Sequence, residues 1–223
     1  MDKELDLKFF EAACKGDFDG AKKALEEGAN VNYANGDGRT ALMRTAKRGY
    51  EEIVNLLLEH GADVRARDKN NKTALMGACK KGYLKIVKDL VDKGADVNSH
   101  DDNGRTALMR AAFKGEYPTV DYLVYMGADI DAKDNKGRTA LMESLISFKI
   151  DCLHFLLSKG ANVNTQDNEG CTALMRACFS NQPDMCTFLL DRGADKDIKD
   201  VNGRRAIDYF KGELPDDLKA RLS

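Results

Sequence analysis

No stretch of this 223-residue chain approaches 18 consecutive apolar residues, which excludes a transmembrane helix. The start of the chain, Asp2-Lys3-Glu4-Leu5-Asp6, has no apolar signal core, so export by a cleaved signal peptide is not expected. No excess of one charge is present either. The 35 Lys and Arg against 37 Asp and Glu sum to −2, a balance that, taken whole, argues against a nucleic-acid binder or a polybasic membrane protein. None of the six cysteines forms a Cys-x-x-Cys pair, which argues against structural zinc; without a signal they point to reduced thiols in a cytosol-like compartment. Tryptophan is absent, and proline occurs three times. What is abundant is hydrophobic residues, at 43%, beside charged ones at 32%, the composition of a soluble globular chain and not of a disordered one.

A period of 33 organises the rest. Thr-Ala-Leu-Met begins at Thr40, Thr73, Thr106, Thr139 and Thr172, with a worn sixth copy at Arg205. Gly-Ala-Asp/Asn begins in the same phase at Gly28, Gly61, Gly94, Gly127, Gly160 and Gly193. A third series runs through Asp68, Asp101, Asp134, Asp167 and Asp200, with Asn35 at its head. Within 35–67 the pattern reads as turn, helix, turn, helix. Gly36-Asp37-Gly38 supplies the first turn, and Thr40 stands as an N-cap whose hydroxyl accepts an orphan amide. Ala41, Leu42, Met43 and Ala46 form a short helix stopped near Gly49. Glu51 and Glu52 open a second helix at its positive dipole end. Ile53, Val54, Leu57 and Leu58 make its apolar stripe, and Gly61 ends it. One unit cannot bury that stripe alone, so neighbours must stack.

These residues resemble the ankyrin repeat family over essentially the whole chain. The family's unit opens its first helix with Thr-Pro-Leu-His and closes its second with Gly-Ala-Asp-Val-Asn. Here alanine replaces the Pro, and methionine (43, 76, 109, 142, 175) replaces the His. Asn71 stands for a lead-in Gly, and Phe148 and Asn181 for the Gly between helices, which leaves those loops open to distortion. The resemblance implies an all-α solenoid of seven stacked units forming a single domain, 1–223. An N-terminal capping unit (1–34) precedes full units 35–67, 68–100, 101–133, 134–166 and 167–199, and a C-terminal capping unit (200–223) follows. The polar run Leu214-Pro215-Asp216-Asp217-Leu218-Lys219 suits a terminal shield. The resemblance implies a non-enzymatic interaction module; a monomer is expected, cytoplasmic in view of the missing signal and transmembrane segments, with secretion as an effector left open. Asn32, Asn98 and Asn164 occupy a position that is a hydroxylation target in some animal ankyrin proteins.

The chemistry-bearing residues do not assemble into a catalytic or metal pattern. His60, His100 and His154 fall near a helix end, in a turn and on an exposed helix side. Cys79, Cys152, Cys178 and Cys186 take core slots, whereas Cys14 and Cys171 are expected to face solvent. Gly36-Asp37-Gly38 and Asp101-Asp102-Asn103-Gly104 have neither the flanking strand of a phosphate loop nor the terminal Glu of a calcium loop. No cofactor and no metal are implied.

The informative positions are those that vary between units. By resemblance, a concave surface is lined at six, four, three and one residues before the Thr and at four, seven and eight after it. Of those 35 positions, 16 are Lys or Arg and four are acidic, against 19 basic and 33 acidic residues elsewhere. The candidate partner-binding residues are Arg39, Arg44, Lys47 and Arg48, then Arg67, Lys72, Lys80 and Lys81. Arg105, Arg110, Phe113 and Lys114 follow, then Arg138 and Ile146, and finally Arg176 and Phe179. Basic residues thin out along the array while Phe113, Ile146 and Phe179 make an apolar stripe roughly 20 Å long, at about 10 Å per packed helix. The expected partner is another protein with an acidic, partly apolar segment. The alternative is a nucleic acid or other polyanion on the same face, disfavoured by the scarcity of stacking aromatics among the cations.

Overall fold

The computed structural model describes residues 2–213 and 215–223; Leu214 of the expected C-terminal shield lies outside them. In chain order the α-helices are α1 (Lys3–Lys15), α2 (Phe18–Glu26), α3 (Ala41–Arg48), α4 (Glu51–Glu59), α5 (Ala74–Cys79), α6 (Leu84–Asp92) and α7 (Ala107–Lys114). They continue as α8 (Tyr117–Tyr125), α9 (Ala140–Ile146), α10 (Ile150–Ser158), α11 (Ala173–Phe179), α12 (Pro183–Asp191) and α13 (Asp216–Leu222), with a short 3-10 turn at Ala206–Tyr209. Among the described residues extended structure is limited to two isolated bridges, Ala34 with Thr40 and His100 with Thr106. The fold is the all-helical repeat architecture expected. Its residues form two compact units: those up to Ala111 together with Pro118–Ala128, and Ala112–Tyr117 together with Asp129–Ser223.

The repeated threonine starts each first helix as its chemistry requires. Its hydroxyl accepts the amide three residues on at 3.3–3.4 Å: Thr40 from Met43, Thr73 from Met76, Thr106 from Met109, Thr139 from Met142 and Thr172 from Met175. The second helices α4, α6, α10 and α12 have no side-chain cap. They are held by what they bury. Ile53, Val54 and Leu57 of α4, Ile86, Val87 and Leu90 of α6, and Cys152, Leu153 and Leu156 of α10 are all essentially inaccessible. Each such aliphatic side chain contributes about 1.5–3 kcal/mol relative to exposure. In the first unit α1 packs on α2 and α3, and α3 on α5; in the second, α9 packs on α10 and α11. The five methionines in the His position are buried between these layers, none more than 8% exposed. Their flexible thioethers fill the space that a polar imidazole would have had to satisfy.

The irregular loops keep their geometry. Asn71, Phe148 and Asn181 adopt φ of 57°, 58° and 54°, the left-handed conformation that glycine supplies at Gly38, Gly49 and Gly82 in equivalent turns. Backbone bonding over-determines these turns and carries the strain, which is greatest for the bulky Phe148.

Candidate partner-binding site

The site is built on the turns that the aspartate series makes. In each, Oδ1 accepts the amides two and four residues on. Asp68 takes Asn70 and Lys72 at 2.9 and 3.0 Å, Asp101 takes Asn103 and Arg105 at 2.9 and 3.0 Å, and Asp134 takes Lys136 and Arg138 at 2.8 and 2.9 Å. Asp167 and Asp200 repeat the pattern on Glu169 and Cys171, and on Asn202 and Arg204. Consecutive turn tips are tied by backbone bonds, Lys69 N to Asp37 O at 3.0 Å in the first unit and Asn168 N to Lys136 O at 3.0 Å in the second.

The second carboxylate oxygen is then free to hold a cation. Arg110 donates to Asp101, and Arg176 to Asp167, each from four residues after the capping threonine. Arg204 and the Tyr209 hydroxyl hold Asp200 at 2.8 and 2.6 Å. Arg39 reaches forward to Asp68 at 3.4 Å and also pairs with Asp37 at 3.0 Å. Burial opposes ionisation of Asp68, but the amides of Lys72 and Asn70 and the Arg39 guanidinium outweigh it and hold the carboxyl below its usual range. Asp200 is held low in the same way: burial opposes, while Tyr209 and Arg204 prevail.

These pairs correct the sequence-based count. Arg110 and Arg176, with side chains only 13% and 22% exposed, are framework ion pairs rather than charges offered to a partner. Arg138 faces Glu143 at 3.6 Å, and Arg67 donates to the His100 carbonyl and the Ser99 hydroxyl, both at 3.1 Å. Arg105 is half-buried, whereas Arg48, Lys81 and Lys114 are exposed. Position alone counted these residues as equivalent; the placement of the turn carboxylates makes them unequal.

Two neighbouring turns of the first unit depart from this pairing. Asn35 replaces the aspartate, so Arg44, four residues after Thr40, has no turn carboxylate to hold. In the next repeat Gly77 occupies the place of that arginine, so no side chain fills the space above Asp68. Between the two lies a cleft of about 180 Å³ in the first unit. Its floor is Met43, Met76 and Gly77, and its walls carry Arg39, Arg44, Lys47, Lys72, Lys80 and Arg110, with Asp68 as the carboxylate among the lining residues. Six of the expected site residues therefore meet in one place. Arg44, Lys47 and Lys72 form no ion pair within 4 Å among the described residues, though Lys72 lies near enough to Asp68 to help hold its carboxyl low. Burial lowers the Lys47 ammonium's affinity for its proton, and the neighbouring Arg44, Arg39, Lys81 and Lys72 lower it further.

In the second unit the apolar residues behave differently from one another. Ile146 and Phe179, 37% and 55% exposed, line a common pocket of about 410 Å³ with Leu145, Met175, Arg204 and Tyr209. Tyr209 meets Phe179 edge to face at 6.4 Å between centroids, and the Lys211 ammonium lies 4.5 Å from the Phe179 centroid. Phe113 is half-buried, contacts Lys114, and does not line this pocket, so the expected three-residue stripe is a two-residue pocket completed by Tyr209. Tyr209 is four residues after Arg205 in the worn repeat, the offset of Arg44, Gly77, Arg110, Glu143 and Arg176. Extending the offsets one repeat further would have found it.

The thiols divide differently from expectation. Cys171 is 6% exposed, not solvent-facing, because Tyr209 folds over it with its hydroxyl 3.2 Å from Sγ. Cys14 is half-buried, its thiol pushed up by burial and pulled back by Arg44 and Arg48. Asp167, Glu169 and Cys171 lie within 4.8 Å of one another, but the Asp167 oxygens are engaged by two amides and Arg176. Asn32, Asn98 and Asn164 bridge loops, donating to the carbonyls of Gly61, Gly127 and Gly193 at 3.4, 3.1 and 3.1 Å. His60, His100 and His154 are exposed, His60 bonded to the Leu56 carbonyl and His154 stacked on Phe188. Among the described residues no helix is long and apolar enough to cross a membrane.

A family model described as ankyrin repeats (3 copies) matches the chain over residues 9–101, 78–134 and 108–200. No curated protein sequence matches it.

Proposed function

The chain belongs to the ankyrin repeat family, whose repeats are protein–protein interaction modules, and we propose that it binds an acidic, partly apolar segment of another protein without catalysing a reaction. The observation that carries this reading is the cleft where Arg39, Arg44, Lys47, Lys72, Lys80 and Arg110 converge around Asp68 as the single lining carboxylate. Cations held this way, over buried methionines, gain more from an arriving carboxylate than cations already paired. The pocket formed by Ile146, Phe179 and Tyr209 supports an apolar anchor, since exposed aromatic and branched side chains around a concavity are the usual seat of interface energy. The non-enzymatic reading rests on the thiols as well: burial pushes Cys79 up, and burial with Asp151 pushes Cys152 up to about 11, so neither is a nucleophile at neutral pH.

Panning a random peptide library against the protein tests this directly. Enrichment of sequences combining Asp or Glu with Leu, Ile or Phe is expected, and its loss when Arg44, Lys47 and Lys72 are changed to Glu. Arg110 is left intact, because a Glu there would face the buried Asp101. Enrichment of neutral or basic peptides, or the same peptides on both proteins, would defeat the proposal. A labelled oligonucleotide bound with a steep salt slope, in place of acidic peptides, would favour the polyanion reading.

A further inference from the structure

We infer that the cleft beside Gly77 is a subsite for a phosphomonoester, a phosphorylated serine or threonine carried by the partner's acidic segment. The inference rests on the acidic-partner reading and sharpens it. Three observations point the same way. First, the cleft is a gap in an otherwise filled series. The same offset carries Arg44, Arg110, Glu143, Arg176 and Tyr209, each a long side chain, and here alone in that series a glycine. A Cβ at Gly77 would stand only 3.2 Å from the Lys47 Cβ, so it is the glycine that lets Lys47 pack this close beside the cleft. Second, the cations around the gap exceed what one carboxylate satisfies. Asp68 is already committed to two turn amides and Arg39, which leaves Arg44 and Lys47 facing the cleft with no ion pair and Lys72 sharing that one carboxylate. A phosphomonoester brings a charge of about −1.5 to −2 and three strong acceptor oxygens, which matches a guanidinium fork and two ammonium groups; a carboxylate brings one charge and two oxygens. Third, the floor of Met43 and Met76 is 8% and 2% exposed, so little water competes from beneath.

A dianion seated here would also relieve the repulsion among Lys47, Arg44, Arg39 and Lys72 that disfavours the Lys47 ammonium. A nucleic-acid phosphate is a diester carrying a single charge, and its two ester links occupy the oxygens that this cleft would need as acceptors.

The test is amide NMR titration of the full chain at constant ionic strength with three probes: N-acetyl-O-phosphoserine amide, N-acetylglutamate amide and dimethyl phosphate. Phosphoserine should shift the amides of Met76 and Gly77 to saturation, with a Kd at least tenfold below those of the other two. Arg44→Gln with Lys47→Gln should weaken it at least tenfold. Gly77→Ala, at a residue whose backbone any residue adopts, should leave the spectrum folded and weaken phosphoserine at least fivefold. Equal affinities for phosphoserine and glutamate would overturn the inference while leaving the acidic-partner reading standing. Equal affinity for dimethyl phosphate, or titrations unchanged in the variants, would overturn it too. If phosphoserine and the panned acidic peptides both fail to bind, both readings fall.

Discussion

Replacing Asn35 by aspartate should close the first gap in the pattern and, in doing so, strengthen the fold while weakening binding. The asparagine Oδ1 accepts the amides of Asp37 and Arg39, both at 3.0 Å, and the isosteric carboxylate would keep both bonds. Its second oxygen would then stand toward Arg44 as the Asp101 carboxylate stands toward Arg110. Arg44 is half-buried, so the new pair should be worth about 1 kcal/mol, between an exposed ion pair and a hydrogen bond to a buried charge. For a chain of this length that is a rise in Tm of about 2–4 °C. The gain should be present near pH 7 and vanish as pH falls below about 4, because the new carboxyl is held low in the folded protein and must be protonated there. Binding of acidic peptides should fall about tenfold as Arg44 is neutralised. Cys14 offers an internal reporter: Arg44 favours its thiolate, so its reaction with a disulfide reagent should slow. A melt that drops or does not move, together with unchanged peptide affinity, would refute the reasoning that Arg44 lacks a partner because residue 35 is not acidic.

The other tests are shorter. Gly77→Ala should move thermal or denaturant melts by less than about 1 kcal/mol, since the helix-propensity gain is opposed by the 3.2 Å approach of the new Cβ to the Lys47 Cβ. Arg110→Ala should cost about 3 kcal/mol by removing the cation from buried Asp101, whereas Arg44→Ala should change the same melt by less than about 0.5 kcal/mol. Native-state thiol labelling should modify Cys14 first, with Cys79, Cys152, Cys171, Cys178 and Cys186 reacting only after unfolding, which mass mapping would read. Acid should weaken the fold below about pH 4, as Asp68 and Asp200, both held low when folded, take up protons; Asp200→Asn should flatten that limb of the pH–stability curve.

How much of this was legible in the chain differs between framework and site. Period, helix starts and buried stripes follow from residues whose chemistry acts locally: a threonine caps its own helix, and a glycine permits its own turn. The left-handed conformation of Phe148 was not legible, because it is imposed by neighbouring bonds against the residue's own preference. The basic surface was legible as a list of positions but not as a distribution of available charge. Arg44 and Arg110 share an offset, and what separates them is whether residue 35 or 101 is ionised, a contact across nine residues. The aspartate series was visible as a marker of phase; its second oxygen as a sink for arginine was not. Cys171 was misread because Tyr209, in the worn repeat, covers it.

The most direct test of the account compares one panned acidic peptide on three proteins at 0.15 M salt, by fluorescence anisotropy. The first is the unmodified chain. The second carries Arg44→Glu, Lys47→Glu and Lys72→Glu in the cleft. The third carries the same change in net charge at Lys3, Lys93 and Lys219, exposed residues outside the cleft lining. Local recognition predicts that the cleft variant loses at least 100-fold in affinity while the control stays within about threefold, since distant exposed charges are largely screened beyond ~8 Å. Equal losses in the two variants, or an intact affinity in the cleft variant, would contradict it.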